Sequence, residues 1–408
     1  MIAEIITIGT EITTGSTLNT NVRYLSQRLL ELGIETYYQT SVDDDKSRLT
    51  DVINIALNRA NLIITTGGLG PTNDDLTKEI VSEALGLELE EDYNMEKKIK
   101  TMFYNMNRRM TDNNKKQAKK PKGSNFIENT IGTAPGIFIT KGDKKIILLP
   151  GPPREMKLMF EKDVVPLIKE DYFIISKSVN TIGIGESSLE TRLLEMNLDT
   201  ENTSVTTFPS EGSVEIKIIS RGKNKKLLEK EITEVINIIE DNLKEHIYGY
   251  NNTKIEEAIV QLLKEKNYTL GLCESCTGGL ISSKITKVPG ASQVFDRCIV
   301  SYSNDSKMQE LNVSEKTLQE YGAVSGETAY EMAKGLMDKS NLDIVLSVTG
   351  IAGPDGGTPK KPVGLVYFCV MTKDEHKIIK ANFNGNRTLI QTRAAMKALD
   401  EIRKILIK

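Results

Sequence analysis

The chain has 408 residues, with 53 Lys and Arg against 56 Asp and Glu for a formal net charge of -3, and it is 39% hydrophobic and 27% charged. That length exceeds one ordinary core, so two or three domains are expected. The slightly acidic balance argues against broad binding to nucleic acid or to an anionic membrane. No apolar run approaches the ~18 residues of a membrane span. Met1-Ile2-Ala3-Glu4-Ile5-Ile6 lacks a basic start and is interrupted by Glu4, and four Cys without a secretory leader suit a reducing compartment, so a cytoplasmic protein is expected. His246 and His376 are the only imidazoles, which disfavours a His-based triad or a zinc site and leaves Lys, Asp, Glu or Tyr as the base.

In chain order, Glu4–Gly9 reads as a buried first strand, followed by the polar loop Thr10–Gly15 with Glu11 in it. Val22, Leu25, Leu29 and Leu32 recur at helical spacing up to Gly33, a helix stop. Asp43-Asp44-Asp45 then precede a helix carrying Leu49, Val52, Ile53 and Ala56. Helix capping is the favoured role for these acids and metal ligation the competing one. Leu62–Thr66 is a second buried strand running into Gly67-Gly68-Leu69-Gly70-Pro71-Thr72-Asn73-Asp74-Asp75. Glycines admit a ligand close to the backbone, and successive N–H groups can cradle phosphate. The loop is neither a P-loop nor G-x-G-x-x-G. Asp74 and Asp75 stand where a metal could meet a pyrophosphate, and Thr72-x-x-Asp75 also reads as a capping box.

Residues 92–125 are charged, with Lys115, Lys116, Lys119, Lys120 and Lys122 clustered there. A solvated face is the favoured reading over phosphate neutralisation. Ile146–Leu149 is a further strand, closed by Pro150-Gly151-Pro152-Pro153. Strands alternating with helices predict a parallel, helix-covered sheet whose ligands bind beyond the carboxyl ends of the strands. Near Asp171 the texture changes to strand-period alternation at Ser176–Ile182 and Val214–Ile218, with helical spacing over Leu227–Leu243, so a small α+β unit is expected. Thr253-x-x-Glu256 reads as a capping box opening the last domain.

That domain contains Gly271-Leu272-Cys273-Glu274-Ser275-Cys276-Thr277-Gly278-Gly279 between an apolar run and a helical one. A Ser on a strand-to-helix turn is well placed as a nucleophile, and the N–H groups of Cys276, Thr277, Gly278 and Gly279 could hold an oxyanion. Cys273 and Cys276 also spell C-x-x-C, which leaves a redox pair open, and a plain turn as well. Strands at Cys298–Ser301 and Ile344–Val348 lead into loops around Lys307 and Thr349, and the three loops can converge on one crevice. Without a His, Lys307 can activate Ser275 if burial lowers its pKa. Tyr302 could relay a proton, and Thr349, Gly350 and Arg387 could hold a phosphate or carboxylate.

Glu274–Gly279, Tyr302-Ser303-Asn304, Gly322-Ala323-Val324-Ser325 and Thr349–Gly357 together resemble the nicotinamide mononucleotide deamidase family. Thr66–Thr77, Asn114-x-x-Gln117-Ala118, Gly132–Gly136 and Pro150-Gly151-x-Pro153-x-Glu155-Met156 resemble the molybdopterin-binding-like domain of the competence/damage-inducible (CinA) proteins. The resemblance implies an α/β fold class, two α/β domains with mainly parallel sheets joined by a small KH-like α+β domain, with boundaries at 1–170, 171–250 and 251–408. It implies deamidation of nicotinamide mononucleotide by Ser275 as nucleophile and Lys307 as base. Tyr302, Thr349 and Arg387 would line that site, with Cys276–Gly279, Asn304 and Gly350 also contacting substrate and no cofactor required. It implies that the first domain cleaves ADP-ribose to AMP and ribose 5-phosphate. There Thr66, Gly67, Gly68, Gly70 and Thr72 would bind substrate and Asp44 and Asp74 would be catalytic; from their place on loops expected at one edge of the sheet, a subset of Glu11, Asp44, Asp74 and Asp75 is expected to hold a divalent metal ion. Gly183-Ile184-Gly185-Glu186 departs from the G-x-x-G clamp of KH modules, so no nucleic-acid partner is expected. Cys273 departs from the Ala expected in the family. A homodimer without membrane attachment is expected. The rival reading is a molybdopterin-binding or competence-associated scaffold with vestigial sites.

Overall fold

The computed structural model describes residues 1–408. Its packing forms two compact units, residues 1–175 with 221–228, and residues 176–220 with 229–408. In the first unit, β1 (Ile2–Ile8), β2 (Glu35–Val42) and β3 (Leu62–Thr66) precede a small pair, β4 (Leu89–Glu91) and β5 (Lys119–Pro121). Then come β6 (Asn125–Ile127), β7 (Gly136–Lys141) and β8 (Lys144–Leu149). The main sheet has the order β2-β1-β3-β8-β7-β6. Its β2, β1, β3 and β8 run parallel, and β7 and β6 are antiparallel additions. Strands covered on both faces read as continuous apolar runs, and β3, Leu-Ile-Ile-Thr-Thr, is buried at every position. Alternation sends Ile6 and Ile63 into one core and Ile5 and Ile64 into the other.

The acidic run after β2 divides its labour. Asp45 caps the helix Lys46–Arg59 by accepting from the Arg48 N–H at 3.0 Å. Asp43 pairs with the Arg48 guanidinium, and Asp44 accepts from the N–H and hydroxyl of Thr10 at 2.9 and 2.8 Å. The Thr72–Asp75 motif differs from the expected helix cap. Asp75 takes the Thr72 N–H within the turn itself, while the helix begins at Thr77 with Leu76 before it. The lysine run also differs from a solvated face at one position. Lys116 donates to the carbonyls of Thr72 and Asp75, tying the segment to the glycine-rich loop, while Lys115, Lys119 and Lys120 pair with nearby acids.

Mainly in the second unit, β9 (Phe173–Ile182), β10 (Thr203–Ser210), β11 (Ser213–Gly222) and β12 (Ile247–Tyr250) form a sheet of order β10-β11-β9-β12. Its accompanying helices are Glu186–Met196 and Lys225–Leu243. The larger sheet holds β13 (Leu270–Glu274), β14 (Phe295–Val300), β15 (Ile344–Gly350), β16 (Leu365–Thr372) and β17 (His376–Asn382), in the order β14-β13-β15-β16-β17. The first three are parallel, and β16 and β17 are antiparallel. The capping box expected at Thr253 lies one residue later, where Glu257 accepts from the Lys254 N–H at 2.9 Å, because Thr253 turns its hydroxyl to the Tyr250 carbonyl.

The last helix, Arg387–Leu406, spans 20 residues, about 30 Å at 1.5 Å per residue. Its far end carries Arg403, 1% exposed, which pairs with the buried Asp400 at 2.8 Å and donates to the carbonyls of Glu245 and Ile247. Asp400 also lies against Gly183, so the loop that clamps nucleic acid in KH modules here packs beside a buried carboxylate.

Candidate active sites

The turn bearing Ser275 follows β13, whose five residues are all buried. Glu274, fully buried, turns its carboxylate over the start of the helix Leu280–Thr286 and accepts from the N–H groups of Gly279, Ile281 and Ser282 at 2.9, 3.2 and 2.8 Å. A carboxylate satisfying the free donors of a helix start is the ordinary solution to that end. It changes the donor set expected for an oxyanion. Gly279 is spent on Glu274 and Gly278 on the Ser275 carbonyl, which leaves the N–H groups of Cys276 and Thr277.

Ser275 and Lys307 meet although 32 residues apart, with Lys307 Nζ 3.0 Å from Ser275 Oγ. Lys307 is 1% exposed and has no carboxylate partner; its other contacts are the carbonyls of Ser301 at 2.9 Å and Tyr302 at 3.4 Å. Burial holds its pKa below the ordinary lysine value. Three uncharged oxygens, the Ser275 hydroxyl and the carbonyls of Ser301 and Tyr302, surround the amine, and no carboxylate beside it favours the ammonium form.

The remaining predicted residues take distinct places. Arg387 donates to the Tyr302 hydroxyl and to the Gly353 carbonyl, each at 2.8 Å, so it joins the loops after β14 and β15. Tyr302 is otherwise 63% exposed, and Asn304 opens the helix Asn304–Leu311 behind Ser303, its cap. The Thr349 hydroxyl donates to the Ala323 carbonyl at 2.6 Å and is thus committed to the backbone. Gly350 leaves no room for a side chain, since a Cβ there would stand 2.8 Å from the Leu365 carbonyl. Ser301 and Gln391 also belong to the site and carry no sequence motif of their own. The Ser301 carbonyl receives Lys307, and Gln391 Nε2 donates to the Cys276 carbonyl at 2.8 Å.

The C-x-x-C is not a dithiol pair. Cys273 faces the core containing Leu336 and Met332, while Cys276 faces the core containing Ile281 and Val348 on the other side of the sheet. Burial raises both thiols, Cys276 to about 12 and Cys273 well above its ordinary value, so neither is a ready thiolate.

In the first unit, a cavity of about 350 Å³ opens beyond the carboxyl ends of β1, β3 and β8. Glu11, Asp44, Asp75 and Glu155 line it together with Gly67, Gly68, Gly70 and Gln117. Gly67 has φ 111°, and a Cβ there would stand 2.1 Å from the Ile8 carbonyl, so only glycine lets the two loops close on each other. Thr66 is buried beneath, accepting from Asn21, and Thr72 is held to Asp75. Asp74 does not line the cavity; Glu155, held by Asn129, does. No three of the His, Cys, Asp and Glu side chains of the chain stand close enough to hold a metal ion between them. Of the acids expected to supply metal ligands, Glu11, Asp44 and Asp75 share the cavity and Asp74 does not, and the carboxylates of Asp44 and Asp75 are engaged by Thr10 and Thr72. No Lys or Arg lines the cavity either.

Three family models divide the chain. A "Probable molybdopterin binding domain" matches residues 4–170, a "Damage-inducible protein CinA KH domain" matches 176–249, and a "CinA C-terminal domain" matches 252–406. A protein named as competence-damage inducible from Caldicellulosiruptor saccharolyticus is 46% identical over 409 residues, all of both chains. A CinA-like protein from Dictyoglomus turgidum is 43% identical over 409 residues, again all of both chains. A solved structure of CinA from Thermoplasma acidophilum, titled as of unknown function, is 34% identical and covers 41% of this chain and 98% of that one, with a TM-score of 0.39. The fold and sites define a protein with a molybdopterin-binding-like α/β domain, a KH-like domain and a CinA C-terminal domain. The chain belongs to the CinA, or competence/damage-inducible, protein family.

Proposed function

We propose that the protein is a two-activity hydrolase of pyridine-nucleotide metabolites, and that the C-terminal site deamidates nicotinamide mononucleotide. The observation that carries this reading is the 3.0 Å contact between Ser275 Oγ and a buried Lys307 whose pKa is depressed by burial. In this mechanism Lys307 takes the Ser275 proton as Oγ attacks the carboxamide carbonyl. The N–H groups of Cys276 and Thr277 receive the oxyanion. Lys307 returns the proton to the departing ammonia, and water then cleaves the acyl-enzyme to nicotinate mononucleotide. Arg387, set between Tyr302 and Gly353, is the cation for the phosphate of the nucleotide. Purified protein incubated with nicotinamide mononucleotide should release ammonia, and Ser275→Ala should not. Turnover by Ser275→Ala near the wild-type rate would overturn the mechanism.

The N-terminal cavity is read as the site of ADP-ribose cleavage to AMP and ribose 5-phosphate. Four carboxylates without a protein cation repel a bare pyrophosphate. A divalent ion held by one or two carboxylates together with substrate phosphates suits such a lining, so the substrate taken here is the metal complex of ADP-ribose. The loop Gly67–Gly70 supplies close backbone approach to the phosphates. AMP formation from ADP-ribose, lost with excess chelator, tests it; undiminished cleavage in chelator would refute the metal requirement.

A further inference from the structure

The nucleophile turn keeps an unusual set of groups without partners. Thr277 is 4% exposed, its hydroxyl has no hydrogen-bond partner, and its N–H and that of Cys276 are the two the turn leaves unspent beside Ser275. Buried polar groups are almost always satisfied, so donors left over next to a nucleophile mark the place where an acceptor arrives during reaction. Their direction has to be fixed in advance for this to work. The Thr277 N–H belongs to the same peptide group as the Cys276 carbonyl. That peptide is trans, since the cis bond of the chain is at Gly353-Pro354, and in a trans peptide the C=O and N–H point oppositely in one plane. Whatever holds the carbonyl therefore aims the N–H. Gln391 holds it, with Nε2 donating to the Cys276 carbonyl at 2.8 Å. Gln391 lies one turn beyond Arg387 on the same helix, so it is anchored where Arg387 joins the other two loops of the site.

We propose that Gln391 is a positioning residue for the oxyanion site, fixing the Cys276–Thr277 peptide so that the Thr277 N–H faces the oxygen that becomes negative when Ser275 attacks. The inference rests on Ser275 being the nucleophile and not on the identity of the substrate. Its test uses a fluorophosphonate, in which Ser275 Oγ bonds to phosphorus, fluoride leaves, the Ser275 proton passes to Lys307, and the phosphoryl oxygen occupies the oxyanion position. Gln391→Met keeps the side-chain length and removes the donor; Gln391→Lys keeps a donor. Labelling of Ser275, followed by intact mass in the full chain, should slow roughly 10-fold or more in Gln391→Met, below the 10²–10³ lost when a donor is deleted outright. Gln391→Lys should recover to within about threefold of wild type, with both variants melting as wild type does. A role in packing alone would favour Met over Lys, the opposite order. Wild-type labelling by Gln391→Met, or equal slowing in both variants, would overturn the proposal. If wild-type Ser275 labels but nicotinamide mononucleotide yields no ammonia, the substrate reading falls and this inference stands. If wild-type Ser275 does not label, both fall together.

Discussion

Both α/β sheets place glycine-bearing loops beyond the carboxyl ends of their parallel strands, yet the two sites are complete to different degrees. In the C-terminal site the proposed nucleophile Ser275 already touches the proposed base Lys307, whose pKa burial holds below the ordinary lysine value. In the N-terminal cavity Glu11, Asp44, Asp75 and Glu155 face one space with no cation among them. In the proposed function, the first site works through protein atoms already in contact, whereas the second presents carboxylate acceptors and would take its positive charge from outside. A site whose parts hydrogen-bond one another can be finished by folding alone, and a site of like charges waits for its ligand.

The largest effect expected from this contrast is on the Ser–Lys pair. Ser275→Ala and Lys307→Ala should each lower ammonia release by roughly 10³-fold or more while leaving ADP-ribose cleavage unchanged. Parallel assays of both activities on each variant decide it, and a loss of both would show that the sites are not independent. On the other side, Asp44→Ala should reduce ADP-ribose cleavage about 10–100-fold and spare ammonia release. Asp74→Ala should do less than Asp44→Ala, since Asp74 lies outside the cavity lining. Equal losses in the two would put Asp74 back among the ligands.

A third outcome sharpens the contrast through pH. Lys307 must be neutral to accept a proton, and its pKa lies below the ordinary 10.5 because burial disfavours the ammonium. Ammonia release should therefore be lost as pH falls through the depressed Lys307 pKa and gained as pH rises through it. The kcat/KM profile of the deamidase should show a rising limb with its midpoint below 10.5, and a midpoint at or above that value would mean that the lysine is not desolvated in the working enzyme. The smallest effect is expected at Cys273. It packs in the core opposite Cys276, so Cys273→Ala should keep ammonia release within about twofold and cost about 1 kcal/mol of stability from the lost thiol packing. A larger loss of activity under reducing conditions would reopen the redox reading.

The sequence by itself determined the architecture and the positions of both loops. Runs such as Leu62–Thr66 and Ile146–Leu149 are apolar throughout because parallel strands are covered on both faces, and that pattern is local in the chain. Ser275, Lys307 and the glycine-rich loop were likewise legible, because a turn between strand and helix is written in consecutive residues. Four matters were decided only in the folded molecule, and each depends on how side chains pack. The donors near Ser275 were redistributed by the buried Glu274 carboxylate, which takes the Gly279 N–H. The C-x-x-C was dissolved by the sheet, which sends Cys273 and Cys276 into opposite cores. Glu155 replaced Asp74 at the N-terminal cavity, and Gln391 reached Cys276 across 115 residues. Periodicity and turn chemistry specify which face a residue takes, but which partner that face meets is fixed by packing, and no spacing within one segment carries that information.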